Sequence, residues 1–181
     1  MRRVLRAEGV ELTEGLTAQE LAGIERRFGF AFNPDHAALL RLAVPVGHGW
    51  ADWRGPADAL RTRLEWPING LLFDVEHNSF WPRSWGSRPD VDAQAVEEAR
   101  RHLLSWPKLV PLFSHRYAPA APAPAGAPVF SVYQADVIYY GANLHDYLLR
   151  EFGTQRGDVK DITHRDGPWS GLAMSYDDSD L

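Results

Sequence analysis

Val129-Phe130-Ser131-Val132-Tyr133-Gln134, then Ala135-Asp136, then Val137-Ile138-Tyr139-Tyr140 is the stretch on which the fold class turns. β-Branched and aromatic residues suit a pleated, half-buried surface, so both apolar halves predict strands. The two residues between them, Ala135-Asp136, predict a tight hairpin. Just upstream, Leu109-Val110-Pro111-Leu112-Phe113 is a further short strand whose internal proline cannot donate to a ladder, which suits a sheet edge. The run from Ala118 to Pro128, rich in alanine and proline, is expected to be a surface loop with some extended character.

The residues before these strands follow helical grammar. Thr17-Ala18-Gln19-Glu20 has the form of a capping box, Leu21, Ile24 and Phe28 then fall on one face, and Gly29 is a natural stop. Asn33-Pro34-Asp35 starts a second helix that buries Leu39, Leu40 and Leu42 and ends before Pro45. Gly47 to Trp53 reads as a loop. Pro56 opens a short helix with Leu60 and Leu64, closed by Trp66-Pro67, and Ile68, Leu71, Leu72 and Val75 predict a separate helical turn or two, with a strand as the alternative. After an irregular aromatic loop between His77 and Pro89, a long helix runs from about Asp92 through Val96, Ala99 and Leu103 to Trp106-Pro107. Beyond the hairpin, Asn143 caps a last helix bearing Leu144, Tyr147, Leu148 and Phe152, which Gly153 ends.

Helices, then a strand cluster, then a helix is a segregated order, so the expected class is α+β with helices on a mostly antiparallel sheet. Residues 1–153 are expected to form one domain. Residues 154–181 read as a polar extension that adds little core, pinned at most by Ile162, Trp169 and Leu172 and ending in the solvated acids of 177–180.

Composition narrows the function. Of 181 residues, 45% are apolar and 24% charged, enough to pack a core. A net charge of −5 disfavours direct binding to nucleic acid, which needs a basic face. No cysteine is present, which removes disulfides, thiolate nucleophiles and sulfur-ligated zinc. No export signal or membrane span is read, so a cytoplasmic location is expected.

The seven histidines, at 36, 48, 77, 102, 115, 145 and 164, fit no metal-ligand spacing, and no phosphate loop, dinucleotide fingerprint or nucleophile elbow is present. No cofactor and no metal is therefore expected. Asp74, Glu76 and His77 form the nearest thing to an acid–histidine cluster, able to polarise a proton if it lined a cleft. His115-Arg116-Tyr117 follows a predicted strand and can face a partner; the alternative is that Arg116 pairs with an acid and His115 caps the sheet edge. Of the seven tryptophans, Trp66 and Trp106 sit at helix ends and are expected in the core. Trp50, Trp53, Trp81 and Trp85 lie on loops, as contact anchors or as packing beneath the loop.

The order of these pieces resembles the SUKH superfamily, which includes fungal cell-wall-synthesis regulators and bacterial immunity proteins. Leu16-Thr17-Ala18-Gln19-Glu20-Leu21 with Phe28-Gly29, then Phe32-Asn33-Pro34-Asp35-His36 with Leu39-Leu40, is similar to its two opening helices. Leu109-Val110-Pro111-Leu112, Pro128 to Tyr133 and Asn143 to Leu148 resemble its later strands and closing helix, so the likeness spans about Leu16 to Phe152. Val44-Pro45-Val46-Gly47 stands where many members have asparagine-glycine, and the tryptophan-bearing Phe73 to Gly86 segment lies outside the general signature, which marks a divergent branch. The resemblance implies a protein-binding role, such as neutralising a basic toxin of nuclease or deaminase type, and carries over no catalytic residue. The expected contact residues are Trp81, Trp85, His115, Arg116, Gln134 and Asp136. Two other readings stand beside it: an intracellular scaffold or regulator, and an enzyme using Asp74, Glu76, His77 or His115.

Overall fold

The fold is described from a computed structural model, which covers residues 1–155 and 157–175. It is α+β. Helix α1 (Arg2–Ala7) leads to a two-residue strand β1 (Leu12–Thr13), α2 (Ala18–Phe28), α3 (Pro34–Leu42) and β2 (Val44–Pro45), which pairs with β1. Helices α4 (Ala57–His77) and α5 (Asp92–Leu104) follow. A four-stranded sheet comes next: β3 (Leu109–Phe113), β4 (Arg116–Pro119), β5 (Val129–Tyr133) and β6 (Asp136–Gly141). The chain closes with α6 (Leu144–Phe152) and α7 (Pro168–Ser175). The sheet order is β3-β4-β5-β6, antiparallel throughout, so β3 with its proline is an edge strand as expected.

Local sequence explains the well-read elements. The Thr17 hydroxyl accepts the Glu20 N–H at 3.1 Å while Glu20 accepts the Thr17 N–H at 2.7 Å, completing the capping box. Gly29 ends α2 with φ +65°, a left-handed conformation glycine adopts without a Cβ penalty. The Asn33 and Asn143 side chains cap α3 and α6 by accepting the N–H groups of His36 and Asp146, both at 2.9 Å.

Both faces of the sheet are covered, which is why its strands read as near-continuous apolar runs. Tyr117, Phe130, Val132 and Val137 pack with residues of α4, α5 and α7. Their alternating neighbours Ala118 and Val129 pack with Leu5 of α1 and Leu144, Tyr147 and Leu148 of α6. A third cluster joins α2, α3 and the start of α4 around Phe28, Phe32, Trp53 and Leu60.

Four expectations are corrected. The stretch expected as two helical pieces about Trp66-Pro67 is the single 21-residue helix α4, with Pro67 inside it. The Tyr117 hydroxyl donates to the Arg63 carbonyl at 3.1 Å, supplying the hydrogen bond Pro67 cannot. The start of the expected Ala118–Pro128 loop is strand: Ala118 and Pro119 belong to β4. The hairpin turn is Gln134-Ala135, one residue earlier than expected, since Tyr133 pairs with Asp136. The helix at Asn143 is not the last: α7 buries Trp169, Leu172 and Ala173 in the main core, so the extension contributes more to packing than its polarity implied.

Among single residues, Leu42 is 47% exposed and Trp66 46% exposed where burial was expected. The acidic run 177–180 lies outside the described residues. Among the described residues, no helix is long and apolar enough to cross a membrane.

Candidate functional site

Trp66, Gly70 and Asp74 are spaced four apart and stand in a row along one side of α4. The tip of the β5–β6 hairpin docks on that row. Asp74, only 5% exposed, accepts the Ala135 N–H on Oδ2 at 2.6 Å and the Asn78 side-chain amide on Oδ1 at 2.5 Å. A Cβ at Gly70 would stand 3.1 Å from Gln134 Cα and 3.2 Å from its nitrogen, so any larger residue would press the turn back by a few tenths of an ångström. The Trp66 and Tyr133 ring centroids are 6.5 Å apart. The helix therefore fixes a turn whose first residue, Gln134, has φ +56°.

Three large aromatic residues of these elements stay open to solvent: Trp66 and Phe73 on α4, each at 46% exposure, and Tyr133 beside the turn at 56%. Two clefts meet at Tyr133. One, of about 410 Å³, is lined by Asp74, Ser79, Trp81, Gln134 and Asp136 among others. The other, of about 550 Å³, is lined by Arg63, Trp66, Ser114, His115 and Tyr117.

The expected contact residues separate into three groups. Trp81, Gln134 and Asp136 share the first cleft, and His115 lines the second. Trp81 is half-buried and its indole N–H donates to the Gly86 carbonyl at 2.8 Å. Trp85 stacks on His102 at 5.0 Å and lies edge-on to Trp81 and Trp106, so it ties the 80–86 loop to the end of α5. Arg116 does what its alternative reading anticipated. It pairs with Glu151 at 3.2 Å, donates to the Ser131 hydroxyl at 2.9 Å and lies 3.6 Å over the Tyr140 ring.

The acid–histidine cluster does not assemble. Asp74 turns inward to hold the hairpin, while Glu76 and His77 lie on the surface 3.7 Å apart with about half of each side chain exposed. His115 lies across the hairpin in the other cleft, its Nδ1 3.1 Å from the Ser114 hydroxyl. Burial and the neighbouring Arg116 push the His115 pKa down, opposed by Glu151 and Asp136. Among the described residues no group of three or more His, Asp or Glu side chains could hold a metal ion.

The residues that sequence reading missed are Arg63, Phe73 and Tyr133, together with the exposure of Trp66. Their signal was present in α4: Trp66 and Phe73 are seven apart, on one side of the helix but off the Leu60, Leu71 and Val75 stripe. Arg63 donates to the carbonyls of Trp50, Gly49 and Ser114 at 2.9–3.0 Å, and burial pushes its pKa down. Burial likewise lifts Tyr117 to about 12, so its hydroxyl keeps the proton it donates. Compared with protein-family models, curated proteins and solved structures, the chain matches none.

Proposed function

We propose that this chain is a non-catalytic protein-binding module of immunity type, using the face around the β5–β6 turn to neutralise a partner by direct contact. The observation that carries the reading is the set of exposed aromatics Trp66 and Phe73 on α4 and Tyr133 beside the turn that Asp74 fixes to that helix. Rigid aromatic side chains bury large area at little entropic cost and dominate binding energy at interfaces. The two clefts beside Tyr133 supply depressions for partner side chains, with Trp81 and Asp136 in one and His115 in the other.

The likeness of motif order to SUKH immunity proteins supports the same reading. A net charge of −5 fits a basic partner such as a nuclease or deaminase toxin, because complementary potentials accelerate encounter. The test is protection of cells that express products of neighbouring genes. Rescue by the intact chain and loss of rescue with Trp66→Ser, Phe73→Ser and Tyr133→Ser combined supports the reading. Rescue that survives the triple substitution removes this face, and a stable complex with house-keeping proteins alone assigns the chain to the scaffold class.

A further inference from the structure

The 550 Å³ cleft is of the size that small ligands fill, and its lining is chemically one-sided. The chain has 24 acids against 19 lysines and arginines, yet the nine residues lining this cleft include no aspartate or glutamate. They do include Arg63, His48 and His115. Arg63 is partly buried and pairs with no carboxylate among the described residues. Three of its five N–H groups go to uncharged backbone carbonyls, and the other two have no acceptor among the described residues. A partly buried cation that has lost water without gaining a counter-charge is stabilised by an anion brought beside it.

Two aromatic residues share this lining. Trp66 and Tyr133 stand with ring centroids 6.5 Å apart and planes inclined by 56°, about half of each residue exposed, so they form an open wedge in the lining they share with Arg63. The geometry points to a site for a small carboxylate carried on an aromatic body, its carboxylate against Arg63 and His115 and its ring in the wedge of Trp66 and Tyr133. One charge suffices: Arg63 is the one arginine or lysine in the lining, and burial and Arg116 hold His115 below its ordinary pKa, opposed by Glu151 and Asp136. A monoanion matches that better than a doubly charged phosphate ester. The inference concerns the chain alone and stands whether or not the same face docks a protein.

The experiment titrates the full chain with phenylacetate, its neutral analogue 2-phenylethanol and the dianion phenyl phosphate, following the Trp66 indole N–H by NMR. Phenylacetate is expected to bind saturably, with 2-phenylethanol about tenfold weaker, the loss of one charge-assisted hydrogen bond. Arg63→Gln is expected to abolish that preference. Should it unfold the chain, Trp66→Leu, at an exposed position, is expected to weaken phenylacetate by about tenfold with an unchanged melting temperature. Equal affinity for phenylacetate and 2-phenylethanol, absence of a saturable shift, or full binding by folded Arg63→Gln or Trp66→Leu overturns the site. Tighter binding of phenyl phosphate than phenylacetate overturns its assignment to a monoanion.

Discussion

The Tyr117 hydroxyl donates a hydrogen bond to the Arg63 carbonyl, 3.1 Å away, and that carbonyl is the one that Pro67 leaves without a helical partner. A proline inside a helix removes the N–H that position i−4 would accept and costs about 3 kcal/mol when nothing compensates. Here a strand compensates for a helix: β4 supplies Tyr117, and the same residue packs in the main core. The union also places Arg63 at the mouth of the cleft, with its side chain bonded to the 49–50 segment and to the β3–β4 turn.

Tyr117→Phe is expected to cost about 1–2 kcal/mol, because it strands a partly buried carbonyl. In a Pro67→Ala background the helix recovers its own N–H, so the same substitution is expected to cost markedly less. A double-mutant cycle by urea denaturation measures this coupling, and equal costs in both backgrounds would show that Tyr117 does not serve the proline.

The hairpin tip is held from below. Asp74→Ala is expected to destabilise by about 2–3 kcal/mol, since it leaves the Ala135 N–H and the Asn78 amide without their acceptor. Gly70→Val is expected to cost about 2 kcal/mol, because its Cβ meets the Gln134 backbone, which cannot swing aside as a side chain would. Amide exchange at residues 133–136 is the readout. Unchanged protection there in both variants contradicts the docking of the turn on α4.

His36 sets a pH dependence. It is 1% exposed against Phe32 and Trp53, its Nδ1 has no hydrogen-bond partner among the described residues, and burial lowers its pKa from 6.5 to about 3. The unfolded chain therefore takes up the proton first as pH falls. The stability contributed by the neutral ring is complete above about pH 6.5, declines by roughly 1.4 kcal/mol per pH unit, and is gone near pH 3. Glu20, held near 2 by Arg54, adds a loss of the same sign at more acid pH. His36→Phe keeps Glu20 unchanged, so the native chain should lose stability relative to the variant as pH drops from 7 to 4. Parallel curves would mean His36 is protonated in the fold.

Where structure follows from neighbours in sequence, the sequence was readable. Thr17 and Glu20 lie three residues apart and determine a helix start by themselves, as do Asn33 and Asn143. Where it depends on distant partners, the reading failed. Pro67 looks like a break until Tyr117 arrives from β4, and the hairpin turn shifts by one residue because Asp74, on another element, accepts the Ala135 N–H. Helix α7 was hidden because Trp169 and Leu172 reach their core neighbours only after the chain returns past the sheet; the Trp169 indole bonds the Pro107 carbonyl at 2.7 Å. At the candidate site, loop composition singled out Trp81, Gln134, Asp136 and His115, which line the two clefts. It missed Trp66, Phe73 and Tyr133, because a tryptophan beside a proline and an aromatic in a strand both read as core.

The most direct test is calorimetric titration of the purified chain, and of its Trp66→Ser, Phe73→Ser, Tyr133→Ser variant, against purified products of neighbouring genes. One of them should bind the intact chain saturably, and the variant should bind it at least about a hundredfold more weakly, roughly 2.7 kcal/mol, with near-unchanged melting temperature. Binding of that partner with undiminished affinity by the variant, or no binding by the intact chain to any of them, would contradict a docking face built on these three aromatics.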